Sequence, residues 1–524
     1  MKRFENHSPN KILFIVFLAS LIVSTVIKVM AVWGNNFAFT MDQGRDLVDV
    51  RQMVVTHIPR LIGPTTSING VFLGPAYYYF IAIPFILFGG NPSAIVFWQI
   101  LWFQVSVIIL WLVLRRESHP LANITGILLL LSPVGFYTAR FFWNANAMPI
   151  FTTLFFAAIF HSLWHKNPWS SIILGLTCGV SLQIEAAFGI LFFPFCLLIY
   201  LFKKFSFKEL LKLSISFVIT LIPQAFFELR HGFIMTKTLV AGLSGSSDVL
   251  GEKLTFAARV IQRKAVFLSI LRETNHIAFE ILGIVLLLSL VLGIYYLIRS
   301  KNKATKGILI VSIIFLFISG LFYLAFPQQV KSWYVTALTI PVIIFLSTVL
   351  TSFFEENLLG KIAVWIFILF SFYHVYLAHS DYLNKYALKP SNDPSNMGNQ
   401  LKAIDWVYTD ANGKAFNVYN YLPSVYDYPY QYLFWWYGTK KYGYQPSDIA
   451  YLPNQQEYIK NSSIFWTKKK SANADSPTYL IVEKDSENMN RMLAWRGNFA
   501  KLCEEKETKI VDNLSVVKLS SCSK

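Results

Sequence analysis

The chain has 524 residues, 55% of them hydrophobic and 14% charged, with a formal net charge of +17. This composition excludes an ordinary soluble globule, because apolar runs recur from residue 11 to about residue 379, many near the roughly 20 residues that a helix needs to cross about 30 Å of hydrocarbon. The excess Lys and Arg is spread over short connections between those runs, a pattern of membrane topology that predicts no nucleic-acid partner.

Taken in chain order, the apolar runs predict eleven spans: near 11–33, 92–114, 119–139, 147–165, 168–184, 186–202, 210–229, 276–298, 307–326, 332–352 and 359–379. The first follows a basic start (Lys2, Arg3, Lys11). It is too long for a signal-peptide core and has no A-x-A site after it, so it reads as a retained signal anchor. Lys28 lies close enough to the far interface to snorkel.

Directly after that span comes FTMDQGRDLVDVRQMV, Phe39 to Val54, with Asp42, Arg45, Asp46, Asp49 and Arg51. On a helix Asp42/Asp46 and Arg45/Asp49 are four apart and share a face. One reading makes Asp42 an N-cap and Arg45/Asp49 a surface ion pair. The other sets the carboxylates against a partner at the membrane surface. RLIGPTTSINGVFLGPAYYY, Arg60 to Tyr79, has two structure-breaking Gly-Pro pairs and lacks the GxxxxGK[ST] of a P-loop. GPAYYYFIAIPFILFGG, Gly74 to Gly90, contains Pro84, Tyr77, Tyr78 and Tyr79, is short for a span, and reads as a helix in or re-entering the outer interface.

With the N-terminus in the cytoplasm, Arg115, Arg116, Lys166, Lys203, Lys204, Lys208, Lys212, Arg299, Lys301, Lys303, Lys306 and Lys361 all fall on the cytoplasmic side. An odd number of spans then sends residues 380–524 outside, giving a multi-pass plasma-membrane protein. Two outer loops, 34–91 and 230–275, are long, which suggests chemistry at that face. Basic residues break the pattern there: Arg140, Arg230, His231 and Lys331 at span ends, and Lys253, Arg259, Arg263 and Lys264 in the second loop. A lone Arg at a span end is ordinarily an anchor. Several near acids and aromatics suit a phosphate at the membrane surface. Glu185 and Glu228 also sit at outer span ends, where acids need partners. Glu228 has Arg230 and His231 nearby, and for Glu185 a structural hydrogen bond ranks ahead of catalysis.

Beyond residue 380 the sequence turns polar. A helix in NQLKAIDWVY and strands in KAFNVYNYL, TYLIVEK and LSVVKLS predict a small α/β domain. YDYPYQYLFWWYG, Tyr426 to Gly438, suits a core or a sugar-stacking surface. Cys178 and Cys196 lie in apolar spans, and no CxxC occurs. Cys503 and Cys522 are free to pair in an oxidising compartment, and the spacing leaves both states open. Three functional readings fit: a membrane enzyme, a transporter or lipid flippase, and a catalytically idle membrane protein whose outer domain binds a partner or cell-wall polymer. Transporters place ionisable residues near the midplane and often show repeats, whereas these charges gather at one face without a visible repeat.

Asp42 to Asp46 after the first span, the amphipathic outer loop, GPAYYYFIAIPFILFGGNPSAIVFW, SPVGFYTARFFWNANAMP and the outer C-terminal domain together resemble bacterial membrane glycosyltransferases of the GT-C fold. The branch resembled is that of protein O-mannosyltransferases and aminoarabinose transferases, over roughly residues 10–380. The resemblance implies a polytopic α-helical domain over residues 1–379 with an extracytoplasmic α/β domain over 380–524. It also implies transfer of a sugar from a polyprenyl-phosphate carrier to an extracytoplasmic protein, lipid or polysaccharide, by a single inverting displacement. Asp42 matches the family's essential aspartate, with Asp46 next. Arg45, Arg140, Arg230 and Lys331 are expected to hold the donor phosphate, and Glu185, His231 and Tyr78 to lie at the acceptor or behind these groups. The partners are the lipid-linked donor, membrane lipid and the acceptor. Related sequences often carry a histidine-containing segment where Glu185 stands, so no cofactor is assigned and a divalent metal stays open.

Overall fold

The computed structural model describes residues 7–165, 167–244, 253–275, 291–295, 302–384, 391–455, 457–460, 468–473 and 476–522. Its helices are α1 His7–Val32, α2 Met41–Thr56, α3 Ala76–Leu87, α4 Pro92–Arg115, α5 His119–Leu131, α6 Pro133–Arg140, α7 Asn144–Trp164, α8 Ser170–Ile184, α9 Ala186–Gly189 and α10 Phe192–Phe202. They continue with α11 Phe207–Thr220, α12 Ile222–Arg230, α13 Ile234–Ser244, α14 Phe256–Asn275, α15 Lys303–Ala325, α16 Ser332–Val335, α17 Thr339–Glu356, α18 Leu358–Tyr382, α19 Met397–Ala411, α20 Tyr428–Leu433 and α21 Met489–Gly497, with a further single helical turn at Thr439–Tyr442.

The eleven expected spans correspond to fewer unbroken ones. Six helices among the described residues are long and apolar enough to cross a membrane, or up to eight if each bent pair is one span. The breaks have a local cause. α5 and α6 bend by 46° and α11 and α12 by 50°, where Pro133 and Pro223 open the second helix of each pair and remove a backbone donor. Residues 170–184 and 186–202 are apolar but short. Most of the expected span at 276–298 lies outside the described residues. Between its glycines, the Gly74–Gly90 segment forms α3.

The chain divides into two compact units, residues 1–28, 60–77 and 97–380, and residues 29–59, 78–96 and 381–524. In the first, Phe315 of α15 sits among Phe155, Phe156, Phe188, Phe192 and Phe195. Gly175 and Gly179 form a small-residue face on α8 where a Cβ would strike Leu213, Ser216 and Thr220 of α11, so the two helices approach closely. Many large apolar side chains, such as Ile15 at 62% and Leu369 at 64% exposure, face outward, as lipid-facing helices require. Lys28 does not snorkel. It is 1% exposed and sits 4.3 Å over the Phe103 ring, because Phe103 offers the ammonium a π face inside the bundle.

The second unit holds a five-stranded sheet. With β1 Asn417–Tyr421, β2 Asp448–Ala450, β3 Thr478–Glu483, β4 Leu502–Val511 and β5 Leu514–Ser521, the order is β2-β1-β3-β5-β4. The first three strands are parallel, and β5 is antiparallel to both β3 and β4. Tyr419, Tyr421, Leu480, Val482, Trp495, Phe499, Val517 and Leu519 form a core under α21. The expected helix and three strands are all present, and Cys503 and Cys522 form a disulfide across β4 and the end of β5. Within this unit the backbone of Phe37 to Phe39 bonds to residues 395–397, and Tyr432 donates to the Gly90 carbonyl at 2.5 Å.

Candidate functional site

The residues singled out from the sequence fall into two groups, one in each unit. In the second unit the N-cap of α2 is Thr40, not Asp42: Gln43 accepts from the Thr40 N–H at 2.8 Å in a capping box. The cap is fixed by the Thr-x-x-Gln spacing, which places Asp42 in the first turn, where a carboxylate favours the helix N-terminus. Gly44 lets α2 lie directly on α20, since a Cβ there would stand 2.6 Å from the Pro429 nitrogen.

Arg45 organises the acids. Its Nη1 lies 3.1 Å from Asp42 Oδ1, and its Nε and Nη2 donate to Asp46 Oδ1 at 3.0 and 2.8 Å. Asp42 is 30% exposed, Arg45 13% and Asp46 0%. The second Asp46 oxygen is buried without a hydrogen-bond partner. Burial pushes the Asp46 carboxyl up to about 7, against the pull of the Arg45 guanidinium. Tyr78, also buried, donates to Asp49 Oδ2 at 2.9 Å. Asp46, expected as the second choice for the catalytic aspartate, therefore lies beneath Arg45, out of contact with solvent.

Beyond Gly44 the aromatic stretch divides. Tyr430, Tyr432, Leu433, Phe434 and Trp435 are core, and Arg51 stacks over the Trp435 ring at 4.6 Å. Tyr428 stacks on Tyr458 at 3.8 Å and on the exposed Tyr426 at 6.2 Å.

In the first unit several chain breaks converge at one end of the helices. Asn144, the first residue of α7, donates to Glu185 Oε2 at 3.0 Å and to the Ile184 carbonyl at 3.1 Å. Glu185 Oε1 accepts the Ala187 N–H and caps α9. Tyr323 donates to the Ala187 carbonyl at 2.9 Å. Trp143 meets Trp333 at 5.8 Å, which sets the segment after Arg140 beside the one that begins with Lys331. Arg140 lies 5.1 Å from the Phe136 and Tyr137 rings, and Lys331 donates to Gln329 at 3.2 Å.

Arg230 is exposed at the last turn of α12. His231 stacks on Phe227 at 4.1 Å and contacts its carbonyl. Glu228 takes the N–H groups of Met235 and Thr236 and the Thr236 hydroxyl, so it caps α13. Arg259 and Arg263, noted from the sequence among the basic residues of the second outer loop, are engaged with backbone carbonyls. They donate to the carbonyls of Leu324, Ala325, Tyr323 and Phe326 at the end of α15, satisfying groups that a helix C-terminus leaves unpaired. Asn144 and Tyr323 were missed because an Asn or Tyr beside an apolar run carries no signal of its own. The Asn-x-Asn of FFWNAN was the available cue.

Both Glu185 oxygens meet N–H donors, an arrangement suited to a helix cap. Among the described residues no group of three or more His, Cys, Asp and Glu side chains is placed to hold a metal ion.

The profile of the dolichyl-phosphate-mannose-protein mannosyltransferase family matches residues 73–227. The structure of ArnT from Cupriavidus metallidurans bound to undecaprenyl phosphate matches with a TM-score of 0.57 at 11% identity, over 96% of this chain and 97% of that one. Its apo form gives the same values. AglB from Archaeoglobus fulgidus, in complex with an inhibitory peptide and a dolichol-phosphate, matches with a TM-score of 0.44 at 12% identity over 93% of this chain and 72% of that chain. No curated relative matches the chain. The chain therefore has the GT-C fold of membrane glycosyltransferases, as the resemblance in its sequence implied.

Proposed function

We propose that this chain is a membrane glycosyltransferase that takes a sugar from a polyprenyl-phosphate carrier and passes it to an acceptor on the extracytoplasmic face. The reading is supported by the fold shared with an enzyme solved with undecaprenyl phosphate and by the family profile. The Cys503–Cys522 bridge supports an oxidising surrounding for residues 380–524. The observation that carries it is the Asp42–Arg45–Asp46 arrangement: one partly exposed carboxylate, held at 3.1 Å by a guanidinium that is itself anchored on a buried one.

In this reading Asp42 accepts the proton of the acceptor hydroxyl as its oxygen bonds to the anomeric carbon. The bond from that carbon to the carrier phosphate breaks on the opposite face, and configuration inverts. The phosphate leaves with the bonding electron pair and needs no general acid. Arg140, Arg230 and Lys331 neutralise the charge that develops on it. Asp46 and Tyr78 act through others, Asp46 by fixing Arg45 and Tyr78 by fixing Asp49. His231 and Glu185 hold the local backbone.

The test is release of undecaprenyl phosphate from an undecaprenyl-phosphate-linked hexose by the purified chain. Asp42→Asn is expected to abolish release while the protein stays folded and inserted. Retained release by that variant refutes Asp42 as the base. Mass spectrometry of envelope glycans with and without the protein then identifies sugar and acceptor.

A further inference from the structure

The pair α5–α6 runs from His119 to Arg140, so its two ends mark opposite ends of the first unit's helices. At the His119 end lies a cleft of about 290 Å³ lined by Lys11, Phe14, Trp111, Arg115, His119 and Asn123. Its floor is rigid. Trp111 stacks on Phe14 and Phe17 at 5.8 and 5.1 Å and donates to Asn123 at 2.9 Å. The Arg115 guanidinium is held 4.9 Å over the Trp111 ring.

Lys11, Arg115 and His119 bring three basic side chains to this cleft, and α5 adds the positive end of its dipole there. No carboxylate among the described residues pairs with any of the three. Of the acids nearby, Glu117 faces His165 at 3.7 Å and Glu355 accepts from Ser118 at 3.3 Å. Along the helices that leave the cleft, Ile15, Leu18 and Leu112 are exposed at 62, 40 and 49%. A ligand with an anionic head and hydrocarbon tails matches both parts. A free anion matches only the first.

We propose that this cleft binds the headgroup of an anionic phospholipid in the leaflet opposite Arg140, its phosphate among Lys11, Arg115 and His119 and its acyl chains against Ile15, Leu18 and Leu112. Basic pockets between membrane helices select such lipids because a net negative headgroup gains from every cation, whereas a zwitterionic one brings its own ammonium. The site is separate from the catalytic reading and does not depend on it.

The experiment uses the full chain in detergent, with phosphatidylglycerol and phosphatidylcholine as probes, read by native mass spectrometry and by the shift in Tm. The wild type is expected to retain phosphatidylglycerol over phosphatidylcholine. Lys11→Gln/Arg115→Gln/His119→Gln is expected to weaken that retention by roughly tenfold or more, and Arg115→Gln alone to weaken it partly. Lys203→Gln/Lys204→Gln, on exposed residues elsewhere, is expected to behave as wild type. Equal retention of the two lipids, a triple variant that still holds phosphatidylglycerol, or equal loss in the Lys203/Lys204 control overturns the proposal. So does the same Tm shift with inorganic phosphate alone, which assigns the cleft to a free anion.

Discussion

Arg45 places two N–H groups on one oxygen of Asp46, at 3.0 and 2.8 Å, and leaves the other oxygen of that buried carboxylate without a partner. With its carboxyl pushed up to about 7 by burial, Asp46 takes up a proton as pH falls through that value and loosens its hold on Arg45. The rate of sugar transfer is therefore expected to fall below about pH 7. Asp46→Asn, which imitates the protonated form, should lower kcat by roughly tenfold, affect KM for the donor less, and flatten that limb of the profile. A pH–rate profile that stays unchanged in Asp46→Asn would remove Asp46 from the arrangement.

Stability should depend on pH in the same unit. Asp46, Asp427 and Glu483 are all buried, and each carboxyl is pushed up to about 7 by that burial. Between the ordinary carboxylate range near 4 and about 7, the unfolded chain has released these protons and the folded chain keeps them. The contribution is fully present at the acid end of that window and is lost as pH rises through about 7. Tm is expected to be higher at pH 5.5 than at pH 8, with a smaller difference in Asp427→Asn and Glu483→Gln. Scanning calorimetry at the two pH values checks the sign.

Gly44 stands where α2 crosses α20, and a Cβ would lie 2.6 and 2.7 Å from backbone atoms of Pro429 and Tyr428. Neither neighbour is a flexible side chain, so Gly44→Ala must displace backbone. A loss of about 1–3 kcal/mol is expected, visible as a lower Tm, together with a fall in transfer as α2 moves. An unchanged Tm would show that the crossing is looser than these distances imply.

Glu185 tests structure against chemistry. It caps α9 and accepts from Asn144. Glu185→Ala removes an N-cap and should cost about 1 kcal/mol. Glu185→Gln keeps one acceptor for the Ala187 N–H and should cost less. Both variants should keep kcat near wild type when assayed folded, and a collapse of kcat in Glu185→Gln with unchanged Tm would make this carboxylate catalytic instead.

The Cys503–Cys522 bridge closes a loop with a sequence separation of 19. A loop of this size is worth roughly 3 kcal/mol by the chain-entropy estimate. Reductant, or Cys503→Ser, is expected to lower the Tm of the sheet-bearing unit. Thiol labelling of the unreduced chain should find neither Cys503 nor Cys522 reactive.

Much was determined by the sequence alone, because it rests on local rules. Apolar run length foretold a chain of membrane helices, though more spans than the structure keeps unbroken, short β-branched and aromatic runs the strands at 417–421, 478–483 and 514–521, and the motifs around Asp42 and Arg140 the GT-C fold. The Thr40–Gln43 cap is also written in four residues, although the reading from the sequence set the cap at Asp42. What only the tertiary structure decided are matters of partners distant along the chain. The packing of α2 on α20 buries Asp46 while Asp42, four residues earlier, stays partly exposed. Arg259 and Arg263 carry the composition of a phosphate site, yet the free carbonyls at the end of α15, some sixty residues away, engage their donors. Residues 29–59 and 78–96 group with 381–524, through pairings such as Tyr432 with Gly90 that no local pattern encodes. A charged side chain's role depends on which groups desolvate and neutralise it, and folding supplies those groups.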